Sequence, residues 1–451
     1  MGAGGHIGRV GGLAVALGIG AAVWTGIGAP AAVADSSGTP GSASSDSAKT
    51  PSAGRASNKR VKASQTLAGT SKRPARVKVP DPGPASPAAP IALSQVVTAA
   101  ATTRRLAPRP TAAPATSSEP VATESVSAAP APNSVTYTAP SSLSDRLTLA
   151  TLRLMRVVSN VLGTDIYGLV GKALASANPP SFLLGGLTAT KTTYTTAEGA
   201  EWKVWEFTPP DPSGKAVVAI HGGGFILQPL LLHWIDYTNM ARDTGATVIV
   251  PMYPLATTEA GAAVHTIPAM ADFISAQIDT FGPENVSIYA DSAGPNIAIG
   301  AVRLLLKAGK PVPASMVLLS FAPDPTLSNP DIKKTNDPII DVNNIAFYTN
   351  TNHWGDGVEK TDPLINAMNF EDAVLQELPP TTLYVGSTEF LLPDTLLFQK
   401  KVVDAGGTMS VVIGSGQIHD WALGVPVNSQ AMVVRRDIYR QLGLIPAATT
   451  V

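Results

Sequence analysis

The sequence predicts an α/β domain built on a mostly parallel sheet with helices on both faces. Two observations support this prediction. Six short apolar runs lack polar alternation, which is typical of strands buried on both faces. Stretches of helical periodicity separate most of them, as the crossovers between parallel strands require. The runs are KAVVAIHGGGF, ATVIVPMYPL, NVSIYADSAG, ASMVLLSFAP, TTLYVGSTEF and MSVVIGSGQIHDW.

The predicted folded domain spans residues 141–451 and begins with a helix. Apolar residues recur at helical spacing from Leu147 to Val161, and Ser144 or Asp145 is placed to cap this helix. Later helices are expected at 267–280, 295–308 and 394–405. The chain contains no cysteine, which excludes disulfides, a thiol nucleophile and cysteine-ligated metals.

The N-terminal third differs in composition. Residues 1–34 place His6 and Arg9 before a Gly/Ala/Val-rich run that ends in Ala-Val-Ala. This pattern is typical of a signal peptide, with an uncleaved membrane anchor as the alternative. Residues 35–140 are rich in Ala, Pro, Ser and Thr, hold twelve basic and five acidic residues, and predict a disordered linker. We therefore expect a secreted or envelope-associated protein. The linker is either a solvated spacer, which we favour, or a basic segment that contacts an anionic cell envelope.

The third apolar run leads into a turn with a serine at its tip. In YADSAGPNIAIGAVRLLL, a strand, a turn and an amphipathic helix follow one another, as a nucleophile elbow requires. Such a turn admits only small residues two positions before and after the serine. Ala290 and Gly294 occupy these positions around Ser292. The alternative is a capped helix N-terminus without a catalytic role. We take Ser292 as the candidate nucleophile.

Three consecutive glycines follow the first apolar run. Backbone N–H groups without side chains in the way can converge on one point, as stabilisation of a tetrahedral oxyanion requires. Gly223 and Gly224 are the predicted donors, with the N–H of Ala293 as a third. A phosphate-binding loop is the alternative, but the Lys-Ser/Thr of a P-loop is missing. His221 is expected to brace this loop.

With these motifs in this order, the sequence resembles the hormone-sensitive-lipase-like branch of the α/β-hydrolases. The motifs are HGGGF at 221–225, ADSAGPN at 290–296 and YPLATTEAGAAVHTIPAMADF at 253–273. The resemblance covers about residues 145–445. It implies an α/β-hydrolase fold with a helical cap, which we expect from about 145–185 and 325–378.

A serine nucleophile needs a base, and the base needs a carboxylate that orients it. His419 follows the last apolar run, where this fold places the base. Asp420 should point away if His419 faces the site. For the acid, Glu389 fits the register of the family's Asp and stands 30 residues before His419. Asp394 is the second choice, because its position is typical of a first helical turn.

These residues predict a serine carboxylesterase or lipase that hydrolyses acyl esters or lipids through an acyl-enzyme. We expect no metal, organic cofactor or nucleic-acid partner, because the sequence offers no metal-ligand cluster and no basic patch interleaved with aromatic residues. The alternative is a non-catalytic envelope-binding protein on a hydrolase scaffold. Residues that could line an acyl pocket, or belong to the core, are Phe225, Ile226, Leu227, Trp234, Phe347 and Trp354.

Overall fold

A computed structural model describes residues 130–340, 352–423 and 428–447 of the 451-residue chain. The predicted signal peptide and most of the predicted linker lie outside these residues, as does Phe347. Within the described ranges, no helix is both long enough and apolar enough to cross a membrane.

One sheet organises the described part of the chain. Its strands are β1 (Val135–Tyr137), β2 (Thr188–Thr195), β3 (Glu201–Thr208), β4 (Ala216–Ile220), β5 (Thr247–Met252), β6 (Val286–Asp291), β7 (Ser315–Leu319), β8 (Thr381–Gly386) and β9 (Met409–Gly414). They lie in the order β1-β9-β8-β7-β6-β4-β5-β3-β2. The pairs from β1 to β5 are parallel, and β2 and β3 form an antiparallel edge. The six apolar runs form β4 to β9, so the predicted α/β fold is confirmed.

Helices cover both faces of this sheet. They are α1 (Leu143–Leu162), α2 (Ile166–Leu174), α3 (Leu231–Thr244), α4 (Ala263–Phe281), α5 (Gly294–Lys307), α6 (Asp372–Glu377), α7 (Leu392–Asp404) and α8 (Ser429–Gln441). Successive residues of a strand point to opposite faces. Val218 of β4 therefore joins the core under α4, α5 and α7, whereas Val217 joins the core under α3 and α8. Burial on both faces explains why these strands lack polar alternation.

The folded part begins earlier than predicted. Strand β1 lies within the predicted linker of residues 35–140 and pairs with β9, with Val135 opposite Val411. Just after β1, the Thr138 hydroxyl accepts a hydrogen bond from the N–H of Ser415 at 2.9 Å. The Ser415 hydroxyl donates to the Thr138 carbonyl at 2.8 Å. A strand of three residues is too short to show periodicity, so the sequence pattern misses it.

Helix α1 also begins slightly before its predicted start. Its N-cap is Ser142, not Ser144 or Asp145, because the Ser142 side chain accepts from the N–H of Asp145. The Asp145 carboxylate in turn accepts from the N–H of Ser142, which completes a capping box. Asp145 also accepts from the hydroxyl of Ser429 at 2.6 Å. The same carboxylate therefore ties the start of α1 to the start of α8.

The pairing of β1 with β9 predicts where the N-terminus can be shortened. A chain beginning at residue 141 should unfold at a temperature at least about 5 °C lower than one beginning at residue 130. It loses several hydrogen bonds of about 1 kcal/mol each, and about 1 kcal/mol shifts the midpoint by a few degrees in a domain of this size. Thermal unfolding followed by circular dichroism measures the difference. Equal midpoints would show that β1 adds no stability.

Candidate active site

Ser292 occupies a strained turn between β6 and α5. Its φ is 53°, a left-handed conformation that is uncommon outside glycine. A methyl group on Gly294 would lie 2.1 Å from the carbonyl oxygen of Ile220, so only glycine fits there. Ala290, in contrast, is fully buried within regular pairing to β4 and β7. The usual elbow pattern, G-x-S-x-G, has glycine at the position of Ala290. The extra methyl group of Ala290 is therefore accommodated, and the sharp turn is kept.

The glycine loop follows β4 and lies beside this turn. Gly223 and Gly224 have φ of 104° and 60°, which favour glycine. A methyl group on Gly222 would lie 2.2 Å from Oδ2 of Asp291, so the loop also needs glycine to approach the elbow. Among the described residues, none accepts a hydrogen bond from the N–H of Gly223, Gly224 or Ala293. All three residues border the cavity that contains Ser292.

The structure brings Ser292, His419 and Glu389 together in one chain of contacts. Nε2 of His419 lies 2.9 Å from Oγ of Ser292, and Nδ1 of His419 lies 3.0 Å from Oε2 of Glu389. Asp394, the second choice for the acid, stands apart from His419. It lies in the first turn of α7 and accepts from the side-chain amide of Asn329 at 2.7 Å. The sequence register favoured Glu389 over Asp394 as the acid, and it is Glu389 that contacts His419 in the structure.

Glu389 is fully buried and held by three donors. Its Oε1 accepts from the hydroxyl of Ser320 at 2.8 Å and from the N–H of Gly386, which leaves Oε2 for His419. Burial raises the pKa of Glu389, and the hydrogen bond and charge of His419 act against that rise. The carboxylate is thus fixed in position before any substrate binds.

Asp420 does not point away from the site, in contrast to the prediction. Its Oδ2 lies 3.3 Å from Nε2 of His419, the nitrogen that also faces Ser292. The cause is the backbone, because Asp420 has a left-handed φ of 54° that turns its side chain back toward His419. Its N–H donates to the hydroxyl of Ser320 at 2.8 Å. Sequence spacing alone does not reveal this conformation.

A second histidine, His233, supports the elbow, although no role was predicted for it. Nε2 of His233 lies 2.9 Å from Oδ2 of Asp291, and both side chains are buried. The same oxygen accepts from the N–H of Gly222 at 3.0 Å. Nδ1 of His233 accepts from the N–H of Leu230, so Nε2 carries the proton. Asp291 thereby connects the elbow, the glycine loop and α3. One sequence feature could have indicated this role: His233 lies in the first turn of α3, the helix that follows the glycine loop.

His221 braces the glycine loop, as expected. Its ring is fully buried and stacks on Tyr253 at a centroid distance of 4.4 Å. The Tyr253 hydroxyl donates to the carbonyl of His221 at 2.6 Å. Burial lowers the pKa of His221 to about 4, so its ring is neutral at ordinary pH.

A cavity of about 530 Å³ opens above Ser292. Both predicted cap segments contribute to its wall: α1 and α2 on one side, and residues 325–340 on the other. Most of its lining is apolar. The apolar side chains include Leu149, Phe225, Ile226, Leu227, Leu327, Ile339, Ile340, Leu391 and Ile418. Phe225, Ile226 and Leu227 thus lie where the sequence predicted an acyl pocket.

Two of the predicted pocket residues belong to the core instead. Trp234 is fully buried under the sheet and contacts Phe207 and Tyr237, because it lies on the inner face of α3. Trp354 stacks behind Phe225 at a centroid distance of 3.9 Å and does not border the cavity. The later part of the predicted cap is also core, since residues 365–378 pack under the sheet through apolar side chains. These are Ile365, Ala367, Phe370, Val374, Leu375 and Leu378.

Residues 217–423 match a family described by the α/β-hydrolase fold. They form an α/β-hydrolase domain. This domain includes the elbow, the glycine loop, Glu389 and His419. The α/β-hydrolase fold predicted from the motifs is therefore confirmed for this part of the chain.

Several known proteins are similar to this chain in sequence. A triacylglycerol lipase from Mycobacterium tuberculosis is 39% identical over 249 residues, which are 55% of this chain and 51% of the relative. An esterase from Acinetobacter venetianus is 30% identical over 199 residues, 42% of this chain and 62% of the relative. The chain thus spans about half of the first relative's length. The crystal structure of a hormone-sensitive lipase from a metagenome library superposes with a TM-score of 0.56 at 21% identity, covering 68% of this chain and 99% of that one.

The close approach at the elbow predicts losses of stability of very different size for two small substitutions. Gly294→Ala should lower the free energy of unfolding by about 3 kcal/mol or more, because the methyl group meets backbone that cannot move away cheaply. Ala290→Gly should cost only about 0.5–1 kcal/mol, the usual penalty for glycine in a strand. Urea unfolding of the two variants and the parent protein measures both. Similar losses in the two variants would contradict the role assigned to Gly294.

Proposed function

We propose that this chain is a serine carboxylesterase or lipase that hydrolyses acyl esters through an acyl-enzyme. The observation that carries the proposal is the chain of contacts from Ser292 through His419 to Glu389, at the base of an apolar cavity. Nucleophile, base and orienting carboxylate are the three groups that activate a serine hydroxyl.

In this mechanism, Oγ of Ser292 attacks the ester carbonyl while Nε2 of His419 takes its proton. Glu389 accepts from Nδ1–H of His419, which fixes the tautomer and stabilises the imidazolium that forms. The imidazolium then gives its proton to the departing alcohol. Water repeats the sequence on the acyl-enzyme, releases the carboxylic acid and restores Ser292.

The negative charge of each tetrahedral intermediate needs fixed donors. The N–H groups of Gly223, Gly224 and Ala293 border the cavity beside Ser292, and none of them has an acceptor among the described residues. Donors that are fixed in advance stabilise the transition state without reorganising, and loss of one typically costs about 10²–10³ in rate. We assign these three groups to the oxyanion hole.

The cavity supports an ester with an apolar acyl group as the substrate. Its volume of about 530 Å³ and its apolar lining fit an acyl chain better than a charged or sugar-like group. The relatives named triacylglycerol lipase and esterase act in the same chemical class. An acyl ester or lipid substrate is therefore part of the proposal.

The rival interpretation is a non-catalytic binding protein on the same scaffold. Binding alone would need neither the left-handed Ser292 nor a fully buried carboxylate aimed at a histidine. Both features cost stability, the first through backbone strain and the second through desolvation. Their presence together favours catalysis.

Replacing the nucleophile tests the proposal directly. The parent protein should hydrolyse p-nitrophenyl butyrate, and Ser292→Ala should lower kcat by at least about 10³-fold, since the covalent route is lost. The exposed Ser213, which lies before β4, offers a matched control: Ser213→Ala should leave kcat unchanged. Circular dichroism checks that both variants are folded. Hydrolysis by Ser292→Ala at the parental rate would refute the proposal.

A pair of amide substitutions identifies the acid. Glu389→Gln should lower kcat by about 10³ to 10⁴-fold, because a neutral amide neither orients His419 correctly nor stabilises its charged form. Asp394→Asn should reduce kcat by less than about tenfold, since this side chain contacts Asn329 rather than His419. Steady-state kinetics on the same ester separates the two. A larger loss in Asp394→Asn would reverse the assignment.

A further inference from the structure

We propose that Asp420 is a positioning residue that holds a proton on Nε2 of His419 and thereby shifts ester hydrolysis toward alkaline pH. This inference rests on the proposed function, because it concerns the protonation of the base in that reaction. It assigns a role to an acid that the Ser-His-Glu arrangement does not require.

Two side-chain oxygen atoms lie close to the same nitrogen atom of His419. Nε2 of His419 lies 2.9 Å from Oγ of Ser292 and 3.3 Å from Oδ2 of Asp420. A neutral His419 that donates through Nδ1 to Glu389 presents a lone pair at Nε2. Ser292 can donate a proton to that lone pair, but an ionised Asp420 cannot, since a carboxylate only accepts. The ionised carboxylate therefore favours imidazolium, the form that cannot take the proton of Ser292.

Asp420 is fixed in this position by its surroundings. Its N–H donates to Oγ of Ser320, whose hydroxyl donates to Glu389, so the two acids that contact His419 share one serine. The left-handed backbone of Asp420 directs its side chain to His419. Its other carboxylate oxygen, Oδ1, is buried and has no hydrogen-bond partner among the described residues. Among the described residues, no other hydrogen-bond donor therefore competes with Nε2 of His419 for the Asp420 carboxylate.

The other ionisable groups around this pair strengthen the effect. Glu389 acts from the loop after β8, Asp337 from the cap segment, Asp291 from the end of β6, and His233 from α3. Three of these four are acids, and His233 donates its Nε2 proton to Asp291. The surrounding negative charges therefore favour the protonated form of the His419–Asp420 pair.

The direction of the pKa shifts agrees with this geometry. Burial opposes a charge on His419, but the charge of Asp420, followed by the hydrogen bond and charge of Glu389, outweighs burial and raises the pKa of His419. Burial raises the pKa of Asp420 as well, and the charge of His419 opposes that rise. A proton shared by the pair is therefore retained above the ordinary histidine pKa of about 6.5.

The expected pH dependence follows from the sign of this shift. While the pair keeps its proton, His419 cannot accept the proton of Ser292, and kcat/KM is therefore low. As the pH rises through the raised pKa, the proton leaves and His419 becomes a base. The acidic limb of kcat/KM, which reports the free enzyme, should therefore lie above about pH 6.5 in the parent protein.

Asp420→Asn tests the proposal, because it removes the charge, keeps the shape and still tolerates a left-handed backbone. The acidic limb should move down by about one pH unit or more, so kcat/KM at pH 6, expressed as a fraction of its alkaline plateau, should rise about tenfold. Asp420→Gly provides a second variant that suits the left-handed backbone and keeps the N–H to Ser320. It should move the limb in the same direction.

Asp337→Asn is the matched control. It removes a nearby acid that does not contact Nε2, while its Oδ1 can still accept from the N–H groups of Ile339 and Ile340. Its limb should move by a small fraction of the shift in Asp420→Asn. An unmoved limb in both Asp420 variants, or an equal shift in Asp337→Asn, would overturn the proposal.

The nucleophile variant separates this inference from the proposed function. If Ser292→Ala retains the activity, the proposed function fails and the pH profile belongs to another reaction. If the activity depends on Ser292 but the limb does not respond to Asp420, only the role of Asp420 fails.

Discussion

The site depends on two backbone segments that approach each other more closely than side chains allow. Gly294 packs against the carbonyl of Ile220, and Gly222 packs against Asp291. This contact places the glycine loop and the elbow on one wall of the cavity. It also explains why Asp291, directly before the nucleophile, can hold the N–H of Gly222 and bind His233 with the same oxygen. The oxyanion donors and the nucleophile are therefore positioned by one packed unit rather than by two independent loops.

Burial of charge is the second feature of the site. Glu389, Asp291 and Asp420 all lie within reach of a histidine. Backbone or hydroxyl donors also hold Glu389 and Asp291, whereas the carboxylate of Asp420 faces His419. Such groups are costly to bury unless they are paired or hydrogen-bonded. The paired arrangement gives each histidine a distinct state: His233 holds its proton toward Asp291, whereas His419 lies between two acids. Two chemically identical side chains thus acquire different environments, one structural and one suited to the proposed catalysis.

The sequence was most informative where the chain is buried on both faces or sharply bent. Strands β4 to β9, the elbow and the glycine loop each carry a local pattern, and the order of the motifs places Glu389 and His419 near Ser292. The edge strands were harder to predict, because β1 has only three residues and β2 is largely exposed. Trp234 and Trp354 were assigned to the pocket because an apolar residue has no sequence signature that separates core from cavity.

The remaining errors concern side-chain direction. Asp420 faces His419 only because its backbone is left-handed, and His233 reaches Asp291 from a helix 58 residues earlier. Both facts depend on tertiary packing rather than on local spacing. Roles that were predicted from a residue's position relative to a strand agree with the structure better than roles that were predicted from residue type alone.

The order of the segments along the chain has a consequence for synthesis. Ser292 follows the central strand β6, whereas His419 follows β9, the last strand of the described residues, which pairs with β8 and with the early strand β1. A growing polypeptide that has not reached residue 419 contains the serine without its base. The proposed hydrolytic activity therefore requires that synthesis has passed residue 419 and that β9 has paired with β8 and β1. Until then, Ser292 has neither His419 nor Glu389 folded beside it.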